Sequence, residues 1–149
     1  MRAVVQRVRE ARVTVGDEVT GEIGQGLLVL VGIAKGDGPE AVEYLAEKIV
    51  GLRIFADESS VMNRSLGEVG GGVLLVSQFT LYGDCRKGRR PSFDRAAPSV
   101  DAEPIYRRLA DRLRDLGFPP REGVFGAHMA VSLTNDGPVT VLLDSERQL

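Results

Sequence analysis

Two short apolar runs do most to limit what this chain can fold into. "GLLVLVGI" at 26–33 and "VLLVSQFTLYG" at 73–83 are short and rich in branched residues. The first reads as a strand covered on both faces, the second as another strongly apolar strand with a polar pair, Ser77-Gln78, at its middle. Residues 2–9, 11–15 and 18–23 alternate in strand fashion. The period changes in "GDGPEAVEYLAEKIVGLRIF", where Pro39 suits a first helical turn and Val42, Leu45, Ala46 and Ile49 form an apolar stripe. "LRIF" then reads as strand, and 57–72 as loop with a short extended piece. "DAEPIYRRLADRLRDLGFPP" predicts a second helix, capped by Asp101 and stopped at Gly117 and Pro119. Its Pro104 falls among N–H groups that are free anyway, and Ile105, Leu109, Leu113 and Leu116 face the core. Residues 121–144 read as two strands joined at "TNDGPVT".

With no repeat and no linker, the expectation is one α+β domain spanning 1–149: a mostly antiparallel, strongly bent or barrel-like sheet with two packed helices. Eighteen glycines suit such bending. The sequence beyond Asp144, "SERQL", reads as a dispensable polar tail.

The chain of 149 residues is 43% hydrophobic and 27% charged, and has no run long enough for a membrane span and no apolar leader. A single cysteine, Cys85, excludes an intrachain disulfide and fits a reducing cytosol. With one histidine, His128, cysteine- and histidine-based metal sites are excluded too. Formal net charge is −2, yet "GDCRKGRRPSFDR" at 83–95 carries Arg86, Lys87, Arg89, Arg90 and Arg95 against two aspartates. That loop is either a solvated surface or a local phosphate-binding patch.

The catalytic inventory is thin. His128 in "FGAHMAVSL" can face outward from a strand, Cys85 has no partner base, and no glycine-rich loop opens a helix. Ser77, Gln78 and Thr80 interrupt an apolar strand, which means either a hydrogen-bonded polar cluster or a strand reaching the sheet edge. In "TNDGPVT", Asn-Asp-Gly is turn chemistry. Pro138 has no N–H to give a ladder, so it belongs at a strand start, an edge or a bulge.

"SQFTL" at 77–81, "RPSF" at 90–93 and "NDGPVT" at 135–140, with "GEIGQGLLVLVGI" and "FGAHMAVSLTNDGPVT", together resemble the D-aminoacyl-tRNA deacylase family. The resemblance runs from Met1 to about Asp144. It implies a cytoplasmic homodimer that hydrolyses the ester joining a D-amino acid, or glycine, to the 3′ end of tRNA, with neither metal nor cofactor. It implies that Ser77, Gln78, Phe79 and Thr80 line the ester site and that backbone N–H groups there form an oxyanion hole. No base adjoins Thr80, so water attack assisted by the tRNA 2′-hydroxyl is expected over a threonine nucleophile. Gly137 and Pro138, joined by a cis peptide and presented to the other subunit's site, would exclude L side chains. Arg7 would support that loop, and Phe125 and Met129 would hold the terminal adenine. Arg86, Lys87, Arg89 and Arg90 would hold acceptor-stem phosphates. The rivals are an L-alanine-editing relative, a nucleic-acid-binding module without activity, and a hydrolase of small D-amino-acid esters.

Overall fold

A computed structural model describes residues 1–149. The first strand, β1 (Arg2–Val15), runs through both of the expected segments without a break, and β2 (Glu18–Ile23) and β3 (Gly26–Gly32) follow it. Strand β1 lies between the other two and is antiparallel to each. The order then changes. Strand β6 (Gly72–Ser77) lies parallel to β3, and the two-residue β7 (Arg121–Glu122) lies parallel to β6. Parallel neighbours need long crossovers. These are made by the helices α1 (Pro39–Gly51) and α2 (Ser99–Asp115), with a small hairpin of β4 (Phe55–Ala56) and β5 (Met62–Arg64) on the first of them. So the sheet is mixed, most of its pairings being antiparallel.

Both apolar runs owe their pattern to this position. Leu27, Val29, Val31, Val73 and Leu75 face a large core completed by the helices, while Leu28, Leu74 and Val76 face a smaller one with Val8, Ala11, Val13 and Ile23. On α1 the stripe of Val42, Leu45, Ala46 and Ile49 is buried as its spacing predicts. On α2 the buried set is Ala102, Tyr106, Leu109, Ala110 and Leu113, so Ile105 and Leu116 lie at the margin. That helix starts earlier than expected, because the N–H groups of Asp101 and Ala102 already bond to Pro98 O at 2.9 Å. Asp101 is therefore inside the first turn, not the cap. Pro104 sits one turn further in and removes a bond to the carbonyl of Val100. Arg112 joins the helices through two bonds to Glu43, at 2.7 and 2.8 Å, and this holds the Glu43 carboxyl below its usual range.

Two expectations fail at strand ends. Strand β6 stops at Ser77, and a 3-10 turn, Phe79–Tyr82, replaces the rest of the run to 83. The final third is not a hairpin around "TNDGPVT". One strand, β8 (Ala130–Asp144), passes straight through the motif and pairs with β1 on both sides of it. The tail is not loose either. Ser145 accepts from the Met1 amine at 2.6 Å, and Glu146 accepts from Arg95 at 2.8 Å. No helix is long and apolar enough to cross a membrane.

The sheet nearly closes where β2 approaches β7. A Cβ on Gly21 would lie 2.9 Å from the Glu122 nitrogen and 3.0 Å from its carbonyl carbon, both rigid backbone. Gly21→Ala should therefore force the seam apart and destabilise the fold by about 1–3 kcal/mol. Gly24→Ala, with nothing near the added carbon, should stay within about 0.5 kcal/mol. Urea unfolding of the two variants checks both values.

Candidate active site

The polar pair at 77–78 marks the end of a strand. The Gln78 N–H still bonds to Val31 O at 2.7 Å, as a ladder residue would. The chain then tightens, with Leu81 N–H on Gln78 O at 3.2 Å and Gly83 N–H on Thr80 O at 3.0 Å. The amides of Phe79 and Thr80 lie ahead of the first of these turn bonds, at the end where a helical turn has no partner of its own to offer. Phe79 and Thr80 are exposed, and Ser77 and Gln78 are half-buried. The Gln78 side-chain amide donates to Thr80 Oγ1. A donor on that oxygen does not activate it, and no base replaces the amide, so Thr80 is not equipped as a nucleophile.

A pocket of about 500 Å3 opens beside this turn and is mostly apolar. Ser77, Gln78 and Phe79 line one side, and Phe125 and Met129 line another. The structure thus brings together two segments nearly fifty positions apart in sequence. Phe125 also packs on Tyr106, ring centroids 5.5 Å apart, so its core and pocket roles coexist. Tyr106 donates to Glu122 at 2.8 Å. Burial first, then that carboxylate, holds its hydroxyl protonated far above the usual range. Met129 is seated by the Val124 N–H on its sulfur at 3.4 Å. Thr80 does not line the pocket.

Sequence reasoning gave no role to three other pocket features. Phe93 meets Phe79 edge-on at 5.1 Å, making an exposed aromatic pair at the rim. Its signal was its place at the end of "RPSF". The start of α2 contributes Pro98, Ser99 and Ala102, which only the fold could reveal. His128 lines the pocket as an exposed residue, between two positions already singled out.

Gly137 and Pro138 do not line this pocket. The register shows where they are. Gln6 pairs with Thr140 and Val8 with Asn135, so 136–139 bulge out of β8 opposite the single residue Arg7. Of the three places open to Pro138, the bulge is the one occupied. Asn135 staples the bulge shut, accepting from Val139 N–H at 2.7 Å and donating to Val139 O at 3.1 Å. Arg7 braces it from below, with Nε on Asp136 O and Nη1 on Ile54 O, each at 2.7 Å. A Cβ on Gly137 would lie 2.6 Å from Val139 N. The Gly137-Pro138 peptide is cis, and both residues are exposed.

The basic loop leaves from the pocket rim. Asp84 and Ser92 exchange backbone bonds at its base, at 2.7 and 3.0 Å. Arg86 folds back on Asp84 through bonds of 2.9 and 2.7 Å, which leaves Lys87, Arg89 and Arg90 as exposed cations without an ion-pair partner.

Comparison with known proteins bears on the family and the fold. The family profile described as D-Tyr-tRNA(Tyr) deacylase matches residues 4–144. A D-aminoacyl-tRNA deacylase of Symbiobacterium thermophilum is 61% identical over 147 residues, covering 99% of this chain and 97% of that protein. One from Thermus aquaticus is 58% identical over 148 residues, with 99% and 97% coverage. Among solved structures, a c-Myc DNA unwinding element binding protein superposes with a TM-score of 0.92 at 43% identity, covering 97% of this chain and 98% of its own. A probable eukaryotic D-amino acid tRNA deacylase shares the fold, with a TM-score of 0.80 at 20% identity and coverage of 95% and 97%.

The Arg86 side chain and backbone N–H lower the Asp84 carboxyl to about 2. In Arg86→Met it should titrate closer to the ordinary value of about 3.9. An NMR pH titration following the Asp84 carboxyl carbon reads the difference.

Proposed function

Because this chain belongs to the D-Tyr-tRNA(Tyr) deacylase family, matched over residues 4–144, we propose that its pocket removes D-amino acids, and glycine attached in error, from the 3′ end of tRNA. The chain is an aminoacyl-tRNA ester hydrolase. The observation that carries the assignment to this pocket is the convergence of Ser77–Phe79 with Phe125 and Met129 on one apolar cavity. The terminal adenosine sits between Phe125 and Met129, and the rim pair Phe79 and Phe93 offers further stacking. The ester carbonyl lies against the amides of Phe79 and Thr80, whose dipoles stabilise the negative charge that develops as the acyl carbon becomes tetrahedral. Water is the nucleophile, helped by the neighbouring 2′-hydroxyl of the tRNA. Ser77 and Gln78 shape the wall, and Gln78 holds Thr80 in place.

Selection against L-amino acids comes from Gly137 and Pro138. Their bulge does not line the pocket of its own chain, so it acts on a second copy, in a homodimer with a cross-subunit active site. Its backbone occupies the space that an L side chain would need. A D side chain points elsewhere and glycine has none. This is discrimination by exclusion, and it works only if the excluding backbone cannot give way. The braces from Arg7 and Asn135 supply that stiffness. The exposed apolar residues Leu133 and Leu142 on β8 suit burial against the second copy. Lys87, Arg89 and Arg90, joined by Arg86 when a phosphate displaces Asp84, hold the acceptor stem without reading its sequence. Such an enzyme works in the cytoplasm, where aminoacyl-tRNA is made.

The purified protein should cleave D-Tyr-tRNA and leave L-Tyr-tRNA intact, as a dimer by light scattering. Gly137→Ala and Arg7→Met should each lower D-ester cleavage or its chiral selectivity by roughly tenfold or more. If neither ester is cleaved faster than in buffer while tRNA still binds, the chain acts as a nucleic-acid-binding module. Replacing Lys87, Arg89 and Arg90 by Gln should flatten the salt dependence of tRNA binding by ~0.7–0.9 in log–log slope for each phosphate that is no longer neutralised.

A further inference from the structure

We infer that Tyr82, held by Arg2 and Arg95, is the positioning residue that fixes the 3-10 turn Phe79–Tyr82 at the pocket, and that Asp144 and Glu146 extend this support to the segment after β8. The inference rests on the hydrolase reading, because the turn it concerns is the one that faces the ester.

The turn needs an anchor. Four residues of 3-10 helix carry few bonds of their own, and their geometry is poorer than in an α-helix. Phe79 and Thr80 are exposed, and Tyr82 is the turn's one buried residue, 3% exposed. It does not belong to either main core. It packs in a separate small cluster with Ala34 and Ala96, so ordinary apolar burial around it is limited.

Charge takes over that task. The guanidinium of Arg2 lies 4.6 Å from the Tyr82 ring centroid, and that of Arg95 lies 5.4 Å from it. Both are within the range where a cation is attracted by an aromatic face. Arg2 also donates from Nη1 to Leu81 O at 3.2 Å, holding the last part of the turn by its backbone. Behind the two arginines stand acids. Arg2 Nε is 4.0 Å from Asp144, whose side chain is 1% exposed, and Arg95 is paired with Glu146 at 2.8 Å. Asp144 in turn accepts from the N–H of Glu146 at 2.9 Å and of Gln148 at 3.3 Å. The residues expected to form a dispensable tail are thus fastened to the turn beside the pocket.

The two arms differ in weight. Arg95 and Glu146 are each nearly half exposed, and water and salt screen such a pair. Arg2 is mostly covered, lies nearer the ring and alone bonds the backbone of the turn. The Arg2 arm therefore dominates, even though its buried Nε finds no hydrogen-bond partner.

The Tyr82 hydroxyl takes no part in the grip. It has no hydrogen-bond partner although it is buried. Burial, followed by the nearby Asp37, holds it protonated far above the usual range, so it presents no charge to the arginines. The ring is what they hold. Removing an unpartnered buried hydroxyl should leave the turn where it is, whereas removing the ring should release it.

The consequence falls on the chemical step. A displacement of an ångström in the amides of Phe79 and Thr80 would misplace them against the ester carbonyl. The main adenosine contacts, Phe125 and Met129, and the phosphate contacts lie on other segments, and of the turn only Phe79 adds stacking, so most of the binding should persist.

The test is steady-state cleavage of D-Tyr-tRNA by Tyr82→Phe, Tyr82→Leu, Arg2→Met and Arg2→Lys, beside the unaltered protein and with thermal unfolding of each. Tyr82→Phe should match the unaltered protein. Tyr82→Leu and Arg2→Met should lose roughly tenfold to a hundredfold in kcat with KM unchanged. Arg2→Lys should recover part of that loss, because it keeps the charge over the ring. Arg2→Met reads the same effect if Tyr82→Leu fails to fold. The inference is overturned if Tyr82→Phe is as damaged as Tyr82→Leu. It is also overturned if Arg2→Met lowers the unfolding temperature while kcat stays, or if KM rises at constant kcat. An unaltered protein that cleaves neither ester would instead remove the hydrolase reading itself, and this inference with it.

Discussion

Strand β1 spends its backbone twice along most of its length. It pairs with β8 nearly end to end, and with β3 and then β2 in turn. Every antiparallel ladder of the main sheet includes it. A strand committed in this way cannot slip by one residue without turning its buried side chains to the other face. Its burial pattern shows two places where alternation breaks. Ala3 and Val5 point inward, as do Val8, Ala11 and Val13, with the changes of phase falling between Val5 and Val8 and between Val8 and Ala11. Arg7 lies in the first of these gaps. A largely buried guanidinium needs partners, and the bulge of 136–139 together with Ile54 supplies them as carbonyls. The bulge and the arginine explain each other.

The site contains no triad, and its geometry offers another route to the same chemistry. Acyl transfer needs a place for the developing oxyanion and a nucleophile held close. The first can be made from backbone amides, which are always protonated and need no tuning. The second can be water and a hydroxyl belonging to the substrate. A side-chain hydroxyl tied to a glutamine amide, as Thr80 is, serves better as architecture than as nucleophile. An active site of the kind proposed leaves little trace in composition, since its reactive parts would be main chain and RNA.

That accounts for what could be read from the sequence. The strands at 2–15, 18–23 and 26–33 and the stripe on the first helix were legible because they rest on local period and burial. The end of β6 was not, because "FTLY" is as apolar as a strand continuing, and nothing local in it marks the turn. "TNDGPVT" carries every mark of a hairpin, and it failed as one because β1 was already paired on both sides of it. Local turn chemistry then yields a bulge in place of a reversal. The pocket needed both long-range pairings and the start of α2, so its residues could be grouped only by resemblance. Phe93, inside a motif that carried the resemblance, and His128, between two positions it singled out, were given no role by that route, and only the fold groups them with the pocket.

The two halves of the proposed reaction make opposite demands that one strand can meet. Exclusion of L side chains needs a backbone that does not yield, and stabilisation of an oxyanion needs amides that do not wander. Neither the bulge nor the 3-10 turn is regular structure, so neither gains rigidity from a ladder of its own. Each instead receives an arginine from β1, Arg7 to Asp136 O and Arg2 to Leu81 O. In both cases the guanidinium binds a carbonyl and so fixes main chain directly, and Arg2 adds its grip on the Tyr82 ring. The bulge and the turn are thereby referred to the same rigid strand, five residues apart along it. In the proposed dimer, with the bulge of one copy against the turn of the other, the spacing between gate and oxyanion site would depend on two copies of β1 and the interface between them. An error in either arginine would then reach the chemistry as a displacement, with the fold around it left standing.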